Sequence, residues 1–161
     1  MKQAILLLFV LLVLIQFIHP SRNESGDSSY QLSTKYAVPA PVQSILKTSC
    51  YDCHSNRTIY PWYANIQPVA WWLTHHVNEG KEELNFDEFA TYRIRRQYHK
   101  LEEITKQMDE QEMPLTSYTL IHRHALLSNE QRLLLSEWAN SLRDSIKASY
   151  PADSLKMPKR D

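Results

Sequence analysis

Gly26 and Gly80 are the only glycines in 161 residues, and no other feature limits the fold as much. A dinucleotide-binding loop needs three glycines in a short run, and a phosphate-cradling loop needs two close together, so neither can be built. Folds made of many tight hairpins also draw on positive-φ residues, which two glycines barely supply. The apolar pattern is helical instead. Val42, Ile45 and Leu46 stripe a short helix leading into Cys50. A second helix is predicted from about Pro68 to Asn78, with Gly80 as its stop. A long helix is predicted after Asn85, where Phe86, Ala90, Ile94, Tyr98, Leu101, Ile104 and Met108 recur every three or four positions. The last begins at Ser128, which with Gln131 forms a capping box, and buries Leu134, Leu135, Trp138, Leu142 and Ile146. Thr58 to Gln67 reads as an ordered aromatic loop. No stretch alternates with period two, so the predicted class is all-α: one small helical domain with appendages.

The appendages are visible in composition. Ala4 to Ile18 is apolar except for Gln16 and follows Lys2, the pattern of an export signal. Small residues of a cleavage site do not follow it, and an uncleaved anchor helix is the preferred reading of residues 1–20, with a removed signal as the alternative. As a helix the run spans about 22 Å against a hydrocarbon core of about 30 Å, a gap that flanking residues and bilayer thinning can close. Residues 21–37, rich in Ser, Asn and Asp, read as a flexible linker. Residues 38–150 form the domain, and 151–161 a polar tail. Either export reading places the domain outside the cytoplasm, facing the periplasm. Eighteen basic residues balance eighteen acidic ones, so nothing electrostatic points to nucleic acid.

The chemistry sits in Cys50-Tyr51-Asp52-Cys53-His54, which has the c-type haem attachment spacing. Two cysteines three apart on a helical turn present both sulfurs to one side, for one edge of a porphyrin. His54 follows immediately as the proximal iron ligand. A zinc site would need further ligands at close spacing, and His122 and His124 are only two apart. A dithiol redox motif normally accompanies a βαβ pattern, which is missing. A structural disulfide here would close too small a loop to constrain the unfolded chain much.

The runs 50–63, 66–73, 79–81 and 84–86 resemble the bacterial haem-binding domain family. So do Met113 to His122, Leu127 to Arg132, and Trp138-Ala139. The resemblance implies a small, c-type-cytochrome-like helical protein with one covalent haem c, found alone or joined to haem peroxidase-like modules.

The ligand on the other face of the iron decides the task, because methionine favours electron transfer and an open position favours peroxide or gas chemistry. Met108 continues an apolar helical stripe and reads as core filler. Met113 precedes Pro114, so it belongs in a loop beyond the helix end, and it is the preferred sixth ligand. His76 and His122 are the alternatives. His76 shares a face with Val69, Trp72 and Leu73, and His99 reads as solvated. Arg57 and the Trp62 ring N–H are candidates to meet haem propionates, with plain packing for Trp62 and solvent for Arg57 equally open. Asn23 and Asn56 match glycosylation sequons that carry little meaning. The functional expectation is an electron carrier without a catalytic residue, exchanging single electrons with redox partner proteins at the outer side of the cytoplasmic membrane. The alternative is a peroxidase-associated module or a haem-based sensor.

Overall fold

A computed structural model describes residues 1–157; the end of the predicted tail, 158–161, lies outside the described residues. Among the described residues there are seven α-helices and no strand: α1 (Lys2–Ile15), α2 (Ala40–Ser49), α3 (Tyr51–His54), α4 (Val69–Glu83), α5 (Ile94–Asp109), α6 (Thr116–Thr119) and α7 (Asn129–Ser149). The all-α expectation holds.

The core lies where α2, α5 and α7 meet. Val42 and Leu46 from α2, Leu101 and Ile104 from α5, and Leu135, Ala139 and Ile146 from α7 form one buried cluster. α5 and α7 pack against each other more extensively than any other pair. Ser128 starts α7 as predicted: its side chain accepts from the Gln131 N–H while Gln131 reaches back to the Ser128 N–H, an arrangement worth about 1 kcal/mol. Leu134 departs from the expected stripe. It is exposed, and Ala139 takes a buried place on that face.

Three boundaries move. Helix α4 runs through Gly80 to Glu83, so Gly80 does not stop it. Helix α5 begins only at Ile94, because Phe86 and Phe89 enter the core from a turn and a short 3-10 segment (Phe89–Thr91). The polar tail is tied down at its start. Leu155 is buried in the core, and its carbonyl lies 3.2 Å from Nε2 of His99, which is therefore half-buried rather than solvated.

The segment expected to be a flexible linker is a strap across the domain. Leu32 is 2% exposed in the core, and its N–H donates to the Phe86 carbonyl at 2.8 Å. Asn23 donates to the Ser55 carbonyl and receives Lys81 Nζ at 2.6 Å. Gly26, with φ of +63°, donates its N–H to the Asn56 carbonyl. These ties are made by polar side chains and backbone, which leave no apolar period to read.

Helix α1 is shorter than the apolar run that encodes it. Its 14 residues rise about 21 Å, and Gln16 turns into the domain, pairing both its amide groups with the Gln67 backbone. Among the described residues no helix is long and apolar enough to cross a membrane, so the expected anchor helix is not supported. None of the side chains of α1 is buried.

Candidate functional site

Helix α2 ends at Cys50, whose φ of −126° and ψ of −41° break the helical path, and α3 supplies a single further turn. That turn is closed by the His54 N–H donating to the Cys50 carbonyl at 3.0 Å. Cys50, Cys53 and His54 consequently line one cavity of about 490 Å³. A second, of about 410 Å³, shares Cys50, His54 and Met113 with it. A third, of about 330 Å³, shares Cys53, His76 and Tyr118 and has apolar walls from Trp62, Trp72 and Ile121. Each is within the size range of small-molecule sites, and together they make a cleft centred on the motif.

Gly80 sets how closely the cleft's two sides approach. A Cβ on Gly80 would stand 2.7 Å from the Cys53 carbonyl oxygen and 3.2 Å from the Cys53 Cβ. The glycine is there so that α4 can lie directly on the backbone of α3. One turn later the chain leaves α4 at Leu84, whose carbonyl is 2.9 Å from Nδ1 of His54. A carbonyl only accepts, so Nδ1 carries the proton and Nε2 keeps its lone pair. Burial lowers the His54 pKa, against the opposing pull of the Leu84 and Gly80 carbonyls. The imidazole is therefore held neutral, in one tautomer, with a defined ligating nitrogen.

The thiols are equally neutral. Burial, reinforced by Cys53, pushes Cys50 up to about 12, and burial with Asp52 pushes Cys53 to about 11. Dithiol redox catalysis wants a lowered thiol pKa, so it is not favoured. Among the described residues no group of three or more His, Cys, Asp or Glu side chains can hold a metal ion, which leaves the zinc reading without ligands. What remains fits a haem: two sulfurs and one imidazole converging on an apolar cleft.

The family described as haem-binding domain matches residues 10–141. The chain belongs to that family. No curated protein and no solved structure matches it.

Within this haem-binding domain the remaining expected site residues separate. Met113 lies beyond the end of α5, half-buried, and lines both the first and second cavities. Arg132 holds its carbonyl at 2.6 Å. Met108 is 5% exposed, in the core. His76 lines the first and third cavities, its ring edge-on to Trp72 with centroids 4.4 Å apart. His122 lines none of the three; its Nε2 is 2.6 Å from the Tyr63 hydroxyl. Trp62 lines the third cavity and is 76% exposed. Arg57 is exposed and lines none of the three cavities, so it is not brought to the cleft.

Residues not anticipated complete the site. Leu84 works through its backbone and carries no side-chain signal. Lys100, 9% exposed, lines the second cavity and donates to Glu83 at 3.0 Å and Glu103 at 2.6 Å. Asn56 and Asn85 are buried and bonded to each other at 2.8 Å. In the sequence Asn56, in Cys-His-Ser-Asn, carries only a sequon match of little meaning.

Proposed function

We propose that this haem-binding domain carries one covalently attached haem c and works as a one-electron carrier. The observation that carries the reading is the convergence of Cys50, Cys53 and His54 on one cleft, with Nε2 of His54 left free by the bond to Leu84. Cys50 and Cys53 would hold the group by thioether bonds, His54 would ligate the iron, and Met113 would be the sixth ligand. When bound, the haem supplies Fe(III)/Fe(II) exchange, with a potential that a methionine ligand raises. The Leu84 carbonyl holds the proton on Nδ1, and Leu115 adds an apolar wall to the cavity that Cys50, Cys53 and His54 line. No side chain need act as acid, base or nucleophile.

Location at the outer side of the cytoplasmic membrane, where redox partner proteins would exchange electrons with the domain, belongs to the same proposal. It is supported by the extracytoplasmic setting of c-type attachment and by the apolar side chains of α1, none of which is buried. A second reading, an open iron position for peroxide or a gas, draws on His76, which faces the same cavity as Met113.

The test begins with the full chain co-produced with a cytochrome c maturation system and stained for haem after denaturing electrophoresis. A stained band is expected, and it should vanish in Cys50→Ser/Cys53→Ser; a colourless wild-type chain would overturn covalent attachment. In the oxidised protein a sulfur-to-iron charge-transfer band is expected, and it should be lost in Met113→Leu. A high-spin, five-coordinate spectrum would replace electron transfer with the open-position reading.

A further inference from the structure

Met113 stands in a segment with little structure of its own. Helix α5 ends at Asp109, Gln111 takes a positive φ of 56°, and the chain then makes only the four residues of α6. One helical turn does not persist alone in water, so something outside it must hold this segment against the cleft.

Arg132 holds the Met113 carbonyl at one end, and the tie to the cleft runs through Tyr118. Its hydroxyl donates to Asp52 Oδ2 at 2.7 Å, reaching from α6 to the middle of the attachment motif. The other Asp52 oxygen accepts the Ile59 N–H at 3.2 Å, and the Thr58 hydroxyl donates to the Asp52 carbonyl at 2.6 Å. The opposite side of the same phenol is stacked: the His122 ring lies 4.3 Å away at an interplanar angle of 9°. His122 Nε2 in turn is hydrogen-bonded to the Tyr63 hydroxyl at 2.6 Å. Asp52, Tyr118, His122 and Tyr63 thus join the motif helix, the aromatic loop and the segment from Met113 to His122. Tyr118 itself walls the first and third cavities.

We propose that these four residues form a clamp that fixes the 113–122 segment across the cleft and so positions Met113 at the sixth iron site. Tyr118 and His122 are positioning residues, and His122 serves by stacking and hydrogen bonding, with no ligand role. The proposal rests on the reading of Met113 as the ligand. The physical basis is that a hydrogen bond to a carboxylate is among the stronger ones, and Tyr118 spends one on joining elements that lie 66 residues apart.

Two hydroxyl deletions, Tyr118→Phe and Tyr63→Phe, keep both rings and are made in the full haem-loaded chain, with circular dichroism confirming unchanged helix content. Two measurements follow. Amide hydrogen exchange across 115–122 should speed up about tenfold in Tyr118→Phe and by less in Tyr63→Phe. Imidazole, used as a probe of the ferric iron, should bind Tyr118→Phe about tenfold faster than wild type, with a weaker sulfur-to-iron band. If exchange across 115–122 is unchanged in Tyr118→Phe, the clamp is overturned whatever the ligand. If exchange speeds up while Met113→Leu leaves the wild-type spectrum intact, the segment is clamped but Met113 is not the ligand, and the positioning claim fails with that reading.

Discussion

Replacing Gly80 with alanine is expected to destabilise the domain by about 1–2 kcal/mol net, even though alanine is the better helix former. Two effects oppose each other. In the interior of α4, alanine should gain about 1 kcal/mol in helix propensity. Against it, the new methyl would lie 2.7 Å from the Cys53 carbonyl oxygen and 3.2 Å from its Cβ. Those are backbone and backbone-attached atoms that cannot rotate aside, so α4 must lift off α3, and overpacking of this kind costs about 1–3 kcal/mol or more. The clash wins because α3 also carries Cys50, Cys53 and His54, whose own hydrogen bonds resist a shift. Thermal unfolding should show a lower midpoint for Gly80→Ala and a larger drop for Gly80→Val. The haem-stained yield should fall in the same order. Asn78→Ala, exposed on the same helix, is the control and should be neutral or slightly stabilising. A Gly80→Ala protein as stable as the control would show that α4 does not need this approach.

The contrast between Gly80 and Ser128 shows what the amino-acid sequence discloses. The capping box at Ser128 is a local device, complete within four residues, and the structure has it as read. The spacing of Cys50, Cys53 and His54 is local too, since one helical turn decides which way they face. Gly80 reads as a helix stop because, in one dimension, a glycine after an apolar face looks like a C-cap, yet α4 runs through it. Its actual neighbour, Cys53, lies 27 positions earlier in the chain. The strap from Asn23 to Leu32 failed for a related reason. Its ties are backbone and amide hydrogen bonds, and only the single buried Leu32 touches the core. Segments that resembled the family, Glu-Gly-Lys, Leu-Asn-Phe and the run around Tyr118, do contain Gly80, Asn85 and Tyr118. The resemblance marked positions whose physical purpose became visible only once the chain was folded.

Asn56 and Asn85 link the fold to His54, the proposed iron ligand, and removing either should cost about 2–4 kcal/mol. Asn56 Nδ2 donates to the Asp27 carbonyl at 2.8 Å and to Glu88 at 3.2 Å, while its Oδ1 accepts from Asn85 Nδ2 at 2.8 Å. The Asn85 N–H donates to the Tyr92 hydroxyl, and its Oδ1 accepts the Asp87 N–H. Asn56→Ala therefore loses three hydrogen bonds and strands the Asn85 amide in a buried place, where an unmade bond costs more than a made one contributes. Asn85→Ala strands Asn56 in the same way. The double variant strands neither amide against the other, so its loss should fall short of the sum of the two single losses by at least about 1 kcal/mol. Strict additivity in chemical denaturation would dissolve the pair as a unit. A second measurement ties the pair to the site. Asn85 lies between Leu84, whose carbonyl holds Nδ1 of His54, and Phe86, whose N–H holds the His54 carbonyl at 2.8 Å. Loosening Asn85 should loosen both grips on one histidine. In the reduced protein the Nδ1 proton of His54, followed by proton NMR, should exchange with solvent faster in Asn85→Ala than in wild type. Unchanged exchange would mean that Leu84 is held in place without the asparagine pair.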